Sequence, residues 1–217
     1  MRRTLVNLKF FTCFLFLSSF VISCVTSQPA KQSQFITAYS TSSAQPWMSD
    51  LFTCADTLNV TIKVAEEQPE IYLRIGQPED LLSPAYQVGE EELLVVTHRE
   101  SSVQNLSLAE VQALFSGLGE ESAQVWVYPS ELDVQGLFDQ FVMQGRSVTS
   151  SARVAVNPQQ MSDILNGETN SAGILPAHWK AGTVREVYSL GVFPVLAILN
   201  GEPRGVIESM VACLQSY

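Results

Sequence analysis

From Phe35 to Ser216, short runs rich in β-branched and aromatic residues alternate with segments of helical period, and that alternation leaves few architectures open. Phe35 to Tyr39 (FITAY), Val60 to Ala65 (VTIKVA) and Ile71 to Ile75 (IYLRI) read as strands, with a helix from Trp47 to Thr57 opened by Pro46. Glu92 to Thr97 (ELLVVT) is a continuous apolar run of the kind buried on both faces. Ser107 with Glu110 three residues on forms a capping box; Leu108, Val111, Leu114 and Phe115 share one face, and Gly117 ends the helix. Gln124 to Tyr128 is a strand. Asp133 then caps a helix from Val134 to Gln144 that turns Leu137, Phe138, Phe141 and Val142 inward, and Gly145 closes it. Arg153 to Val156 and Ser171 to Leu175 flank a helix from Pro158 to Asn166. Val184 to Leu190 and Val192 to Leu199 are late strands, and Arg204 to Ser216 is a final amphipathic helix. Interleaved strands and helices predict an α/β fold with largely parallel sheets.

The front of the chain is an address. Met1 to Lys9 carries three positive charges and no acid, and the apolar run Phe10 to Ser23 is 14 residues long, short of the ~20 needed to span a bilayer. It ends at Val21-Ile22-Ser23-Cys24, which resembles a bacterial lipobox. On that reading 1–23 is a signal peptide, Cys24 becomes the first mature residue and carries acyl chains such as palmitate, and 24–34 is anchor and tether. Two chains suffice for stable anchoring. The alternative is a secretory peptide cut near Val25 to Ser27 with Cys24 discarded. Both destinations are extracytoplasmic, the first on the cell membrane.

Removing 23 of 217 residues leaves 194, enough for one globular unit with two lobes. Arg2, Arg3 and Lys9 lie in the signal, so nine basic residues face 22 acidic ones in the mature chain. A basic face for phosphate backbones is missing, which excludes general nucleic-acid binding. Cys13 lies in the signal, and Cys54 and Cys213 remain. In an oxidising compartment they suggest a disulfide tying the first mature helix to the last across ~160 residues; two buried thiols are the alternative. No Gly-x-Ser-x-Gly elbow, His-Glu-x-x-His, Cys-x-x-Cys or phosphate loop is present, so neither an enzyme nor a cofactor or metal site is expected. The sequons Asn59-Val60-Thr61 and Asn105-Leu106-Ser107 are accidental in a bacterial lipoprotein.

Leu106 to Trp126 (LSLAEVQALFSGLGEESAQVW) resembles a segment of phosphate-type extracytoplasmic solute-binding proteins, where a helix runs into Phe-Ser-Gly and a Trp precedes the next strand. Leu73-Arg74-Ile75-Gly76-Gln77-Pro78, the strand ending at His98, and Asn170 to Trp179 (NSAGILPAHW) follow in the family's order. The resemblance implies the two-lobed type II periplasmic-binding-protein-like (PstS-like) fold with two crossover strands, a small ligand between the lobes and an ABC transporter permease as partner. By analogy lobe 1 comprises 35–97 and 185–217, and lobe 2 comprises 98–184. The chain is expected to be monomeric.

Ligands in such open sheets sit at helix N-termini beyond strand ends. The first candidate loop is Ser40, Thr41, Ser42, Ser43 and Gln45, whose hydroxyls and N–H groups suit an oxyanion, although capping and turn chemistry use the same residues. In the second, Ser130, Glu131 and Asp133 stand where phosphate-binding relatives carry Arg and a Gly-Ser-Gly-Thr turn. Two carboxylates there repel phosphate by ~1–4 kcal/mol at ~4 Å, which argues against phosphate and for a cationic or hydroxyl-rich ligand. Asp133 as a plain N-cap and Glu131 as a solvated charge are the bland alternatives. His98 and Arg99 are cleft candidates or hinge-surface residues. Arg74 pairs with Glu70 or Glu79, or lines the cleft, and Trp179 stacks on ligand or packs in the core. A degenerate relative that binds no solute and serves envelope interaction or sensing is the rival function, and a secreted hydrolase a weaker one.

Overall fold

The computed structural model of the protein describes residues 34–119 and 123–217; the signal peptide, Cys24 and the tether to residue 33 lie outside the described residues. The strands are β1 Phe35–Ser40, β2 Thr61–Val64, β3 Ile71–Ile75, β4 Ala85–His98, β5 Gln124–Val127, β6 Arg153–Val154, β7 Ser171–Pro176 and β8 Val184–Leu199. The helices are α1 Met48–Leu58, α2 Leu108–Ser116, α3 Asp133–Phe138, α4 Pro158–Gly167 and α5 Val206–Leu214. All eight strands form one sheet in the order β2-β1-β3-β8-β4-β7-β5-β6. β4 and β8 are its long antiparallel centre. On one side β8 meets β3, and on the other β4 meets β7, so two crossover strands join two half-sheets into a two-lobed α/β fold.

The sheet is mixed. Pairings within each half are parallel, β1 with β2 and β3, β5 with β6 and β7. Those that reach the crossovers are antiparallel. The expectation of largely parallel sheets thus holds inside each half and fails at the centre, because the chain crosses once in each direction and the two crossings run side by side.

Both crossovers exceed the apolar runs that mark them in the sequence. β4 starts at Ala85, seven residues before the apolar run at Glu92, and passes through the consecutive Glu90, Glu91 and Glu92. All three of these acids are engaged: Glu90 as acceptor from the Gln87 side-chain amide at 3.3 Å, Glu91 with His178, and Glu92 as acceptor from the Ser189 hydroxyl at 2.6 Å. β8 runs unbroken through Gly191, whose φ of 112° permits an irregularity in the pairing, so one bulged strand stands where two were expected.

Helix ends follow local chemistry. The Ser107–Glu110 capping box is present, and Gly117 ends α2 in the left-handed region. The Ser107 bonds hold the Glu110 carboxyl below its ordinary value. Asn157, not a residue of the helix itself, caps α4. Two expectations need correction at α3. Leu132 holds the N-cap position and Asp133 is the first helical residue. Past Phe138 the helix widens into a π turn, Asp139–Met143, before Gln144 leaves it with positive φ. The wider turn rotates the apolar face, so Phe141 is exposed and meets the Phe193 ring edge-on at 5.1 Å instead of entering the core with Val142.

α1 and α5 lie side by side, joined by a Cys54–Cys213 disulfide with Cα atoms 5.9 Å apart. It closes a loop of 159 residues that contains every other element from β2 to β8. On the chain-entropy model a loop of this size stabilises by ~5 kcal/mol. Reduction, or Cys54→Ala with Cys213→Ala, is therefore expected to lower the urea unfolding free energy by about 3–5 kcal/mol; an unchanged midpoint with both thiols titratable would show that the bridge contributes nothing.

Candidate functional site

The two halves meet where β1 runs into α1 and where α3 begins. Ser40 ends β1 half-buried, and the chain turns through Thr41, Ser42 and Ser43 into a short 3-10 turn, Gln45–Trp47, that leads into α1. Thr41 and Ser43 are buried, Ser42 is half-buried and Gln45 is exposed. Opposite them Asp133, 4% exposed, reaches across from the first turn of α3. Its Oδ2 accepts from the Thr41 hydroxyl at 2.8 Å and from the Ile75 backbone N–H at 2.8 Å, and its Oδ1 accepts from the Val134 N–H at 2.9 Å. Thr41 Oγ1 in turn accepts from the Ala44 N–H at 3.2 Å. A hydroxyl has one proton, so that bond leaves it aimed at Asp133. None of the close ion pairs among the described residues involves Asp133.

Further contacts seal the junction. Gly76 takes φ of 72° after β3 and lies so close under Leu137 of α3 that a Cβ there would stand 2.8 Å from a Leu137 methyl. The Trp179 indole N–H donates to the Ser43 carbonyl at 3.2 Å, so this Trp tethers the hydroxyl loop. Trp47 packs at 5.1 Å from the His178 ring and lies over Gly89 of β4, where any Cβ would meet its ring. Glu91, 1% exposed, accepts from the His178 backbone N–H at 3.1 Å and pairs with His178 Nδ1 at 2.6 Å. No acid lies close to His178 in the sequence; the partner arrives from β4, 87 residues away. Two buried donors at this junction, the Ser43 hydroxyl and the Trp47 indole N–H, have no protein partner.

The other candidates do not join this cluster. Ser130 and Glu131 are exposed on the loop before α3, and Ser130 borders a cavity of 420 Å³ with Tyr128, Gln135, Asp139 and Arg146. Tyr128 is held from behind: its hydroxyl donates to the Ile174 carbonyl at 2.7 Å, and burial, reinforced by the Asp133 charge, pushes its pKa well up. Ile75 is in register with Val195 of β8, which pairs with Gly89, so the junction lies near Gly89 along β4. His98 stands nine residues further on, roughly 30 Å of extended strand away. It is buried and its Nδ1 accepts from the Glu100 N–H at 3.1 Å, shaping a turn. Arg99 is exposed beside an open groove of 590 Å³ with Lys180, Arg185 and Glu186.

Arg74 also differs from expectation. It is absent from the close ion pairs of the described residues, and Glu70 is engaged instead by the Thr37 N–H at 2.8 Å and hydroxyl at 3.1 Å. Arg74 lies near Tyr72, where its charge opposes the rise that burial imposes on the Tyr72 hydroxyl. Among the described residues no group of three or more His, Cys, Asp or Glu is placed to hold a metal, and no helix is long and apolar enough to cross a membrane.

No family model and no curated protein matches the chain. Solved structures do. A Clostridium perfringens protein assigned as a phosphate ABC transporter substrate-binding protein, solved with bound phosphate, superposes with a TM-score of 0.74 at 12% identity, over 83% of this chain and 93% of its own. An ABC-type phosphate transport receptor from Vibrio cholerae gives 0.64 at 12% identity, with 83% and 93% coverage. The regulatory domain of Synechocystis CcmR, in complex with 2-PG, gives 0.62 at 13% identity, with 84% and 96%. The chain has the two-lobed type II periplasmic-binding-protein-like fold that these proteins share, with β4 and β8 as its crossovers.

The bond from Thr41 to a buried carboxylate gives the junction a direct test. Thr41→Val is expected to cost about 1.5–3 kcal/mol or more in urea unfolding, since it removes the charge-assisted bond to Asp133 and the acceptor of the Ala44 N–H, whereas Thr41→Ser, which keeps the hydroxyl, should cost less. Equal stability of Thr41→Val and wild type would mean that the bond does not hold the halves together.

Proposed function

We propose that the chain is a bacterial lipid-anchored, extracytoplasmic solute-binding protein whose two lobes, 35–97 with 185–217 and 98–184, capture a small molecule between them and present it to an ABC permease. The observation that carries this is the meeting of a hydroxyl-rich helix entrance, Thr41 and Ser43, with the start of α3 at the end of β3. Strand ends and helix N-termini supply aimed N–H groups there without net charge. The fold's likeness to two phosphate transport proteins supports the class of activity.

Phosphate itself does not suit the chain. Asp133 stands at the junction with its oxygens already bonded, and a dianion within ~4 Å of it would meet a repulsion of ~1–4 kcal/mol. The better solute is neutral and hydroxyl-rich, or cationic. No covalent chemistry is proposed. Cys24 anchors the chain to the membrane, and the protein acts as a monomer.

A second function is favoured by one specific observation. Because the chain's own carboxylate satisfies the junction, the same fold could stand closed without solute and act as an interaction or sensing module of the envelope; the likeness to a regulatory domain fits that use.

Native mass spectrometry of gently purified protein separates the two. A solute carrier is expected to show a bound small molecule and a radius of gyration in X-ray scattering that changes when the solute is dialysed away. A mass equal to the bare chain, with scattering unaffected by cell extract, would leave the interaction module. For the anchor, Cys24→Ala is expected to abolish labelling by radioactive palmitate and release the protein from membranes; labelling that persists would refute the lipobox.

A further inference from the structure

We infer that Asp133 is an internal ligand, a carboxylate of the chain itself seated in an oxyanion cradle built by the opposite lobe, and that it is the residue that excludes free anions from this protein. The inference deepens the proposed function and rests on it only in treating the junction of the lobes as the binding site.

Four features carry it. The donors that Asp133 receives from across the junction are of the kind that hold a bound oxyanion, one hydroxyl and one backbone N–H, and both converge on a single oxygen at 2.8 Å. The carboxylate is 96% buried by its 4% exposure, and no close ion pair among the described residues neutralises it, so hydrogen bonds alone replace its water. A helix cap would not need this arrangement, since Asp133 lies inside the first turn and only the Val134 N–H of its own helix reaches it. Finally, the adjacent Ser43 hydroxyl is fully buried and has no protein partner, so the loop holds one more donor than the internal carboxylate uses.

If the carboxylate is a seated ligand, it can be exchanged for a free one of matching size. Asp133→Ala removes a carboxylate and leaves the Cβ as a methyl, which opens a space the size of formate. Asp133→Gly removes one carbon more and opens a space the size of acetate. The donors that remain are the Thr41 hydroxyl and the N–H groups of Ile75 and Val134. The vacated cradle is thus expected to take small monocarboxylates in the order set by the deleted atoms.

Thermal unfolding of each variant of the protein, titrated with sodium formate or sodium acetate against sodium chloride at equal ionic strength, tests this. Asp133→Ala is expected to show a saturable rise with formate larger than with acetate, and Asp133→Gly the reverse, while wild type shows neither. A folded Asp133→Ala whose midpoint follows chloride and formate alike would overturn the inference, as would a wild type that gains as much as the variant. Should Asp133→Ala fail to fold in buffer, recovery of its far-ultraviolet circular dichroism in formate supports the cradle, and failure at 0.5 M formate, on the order of the highest practical concentration, refutes it. Asp133→Asn fills the same space with an amide and is expected to bind neither acid; formate stabilisation of that variant would also refute it. These outcomes stand apart from the solute question. A variant that binds formate while wild type carries no solute sinks the carrier function and keeps the internal ligand, and a wild type with a bound solute whose variants ignore both acids does the opposite.

Discussion

A carboxylate withdrawn from water without a cation beside it persists only by collecting hydrogen bonds, and Asp133 collects two of its three from the other lobe. That one requirement organises the centre of the molecule. It fixes the Thr41 proton, orients the loop that carries Ser43, and holds the first turn of α3 against the end of β3. Leu137 can then descend onto Gly76, a contact that only a residue without a Cβ allows at that distance. The indole of Trp179 and the ring of His178 close the same seam from the 3-10 turn after β7, so polar and apolar contacts are interleaved across it.

The sheet makes such a seam possible. β4 and β8 cross side by side over thirteen paired positions, and their mutual register carries the relative placement of the two halves. At Gly89 and at Gly191 the pairing is irregular, and the first of these irregularities also admits Trp47 against the backbone. Local loss of ladder regularity there provides room for a side chain that bridges the lobes. The Cys54–Cys213 bridge acts at a distance from all this. It joins α1 to α5, and the loop it closes contains both crossovers, β4 and β8, and every element between them.

Much of the fold was legible because its signals are local. The Ser107–Glu110 box, Gly117, Pro158 and the β-rich runs at 35–39 and 71–75 each need only their neighbours to act. The two cysteines were legible because the split lobe brings first and last helices together. What was not legible depends on partners far along the chain. Glu90 and Glu91 fell outside the strand read from Glu92 to Thr97, and their place in β4 rests on β8, which pairs with both. Gly191 suggests a break, yet β8 continues through it because β4 pairs with it on either side. The π turn at Asp139 has no marker in residue type, and it alone turns Phe141 outward. Among the candidate site residues, Thr41, Ser43 and Asp133 converge, while Glu131, His98 and Arg99 do not. Asp133 stood out in the sequence as an acid where an anion-binding loop needs none. Its actual partners, the Thr41 hydroxyl and the Ile75 N–H, lie 92 and 58 residues away.

The overall charge of the chain points the same way as the site. Twelve bases against 22 acids in the chain make its net charge repel anions, and at physiological salt that field fades within about 8 Å. A protein adapted to draw phosphate from dilute solution would benefit from the opposite field around its mouth. Here the long-range field and the occupied cradle act in series, the first discouraging approach and the second blocking entry. Because the cradle is built from a neutral hydroxyl and backbone dipoles, losing Asp133 would leave its donors in place and change only which side supplies the negative charge. Specificity against anions in this fold can therefore rest on a single side chain while the fold itself, carried by the crossovers and the disulfide, stays the same.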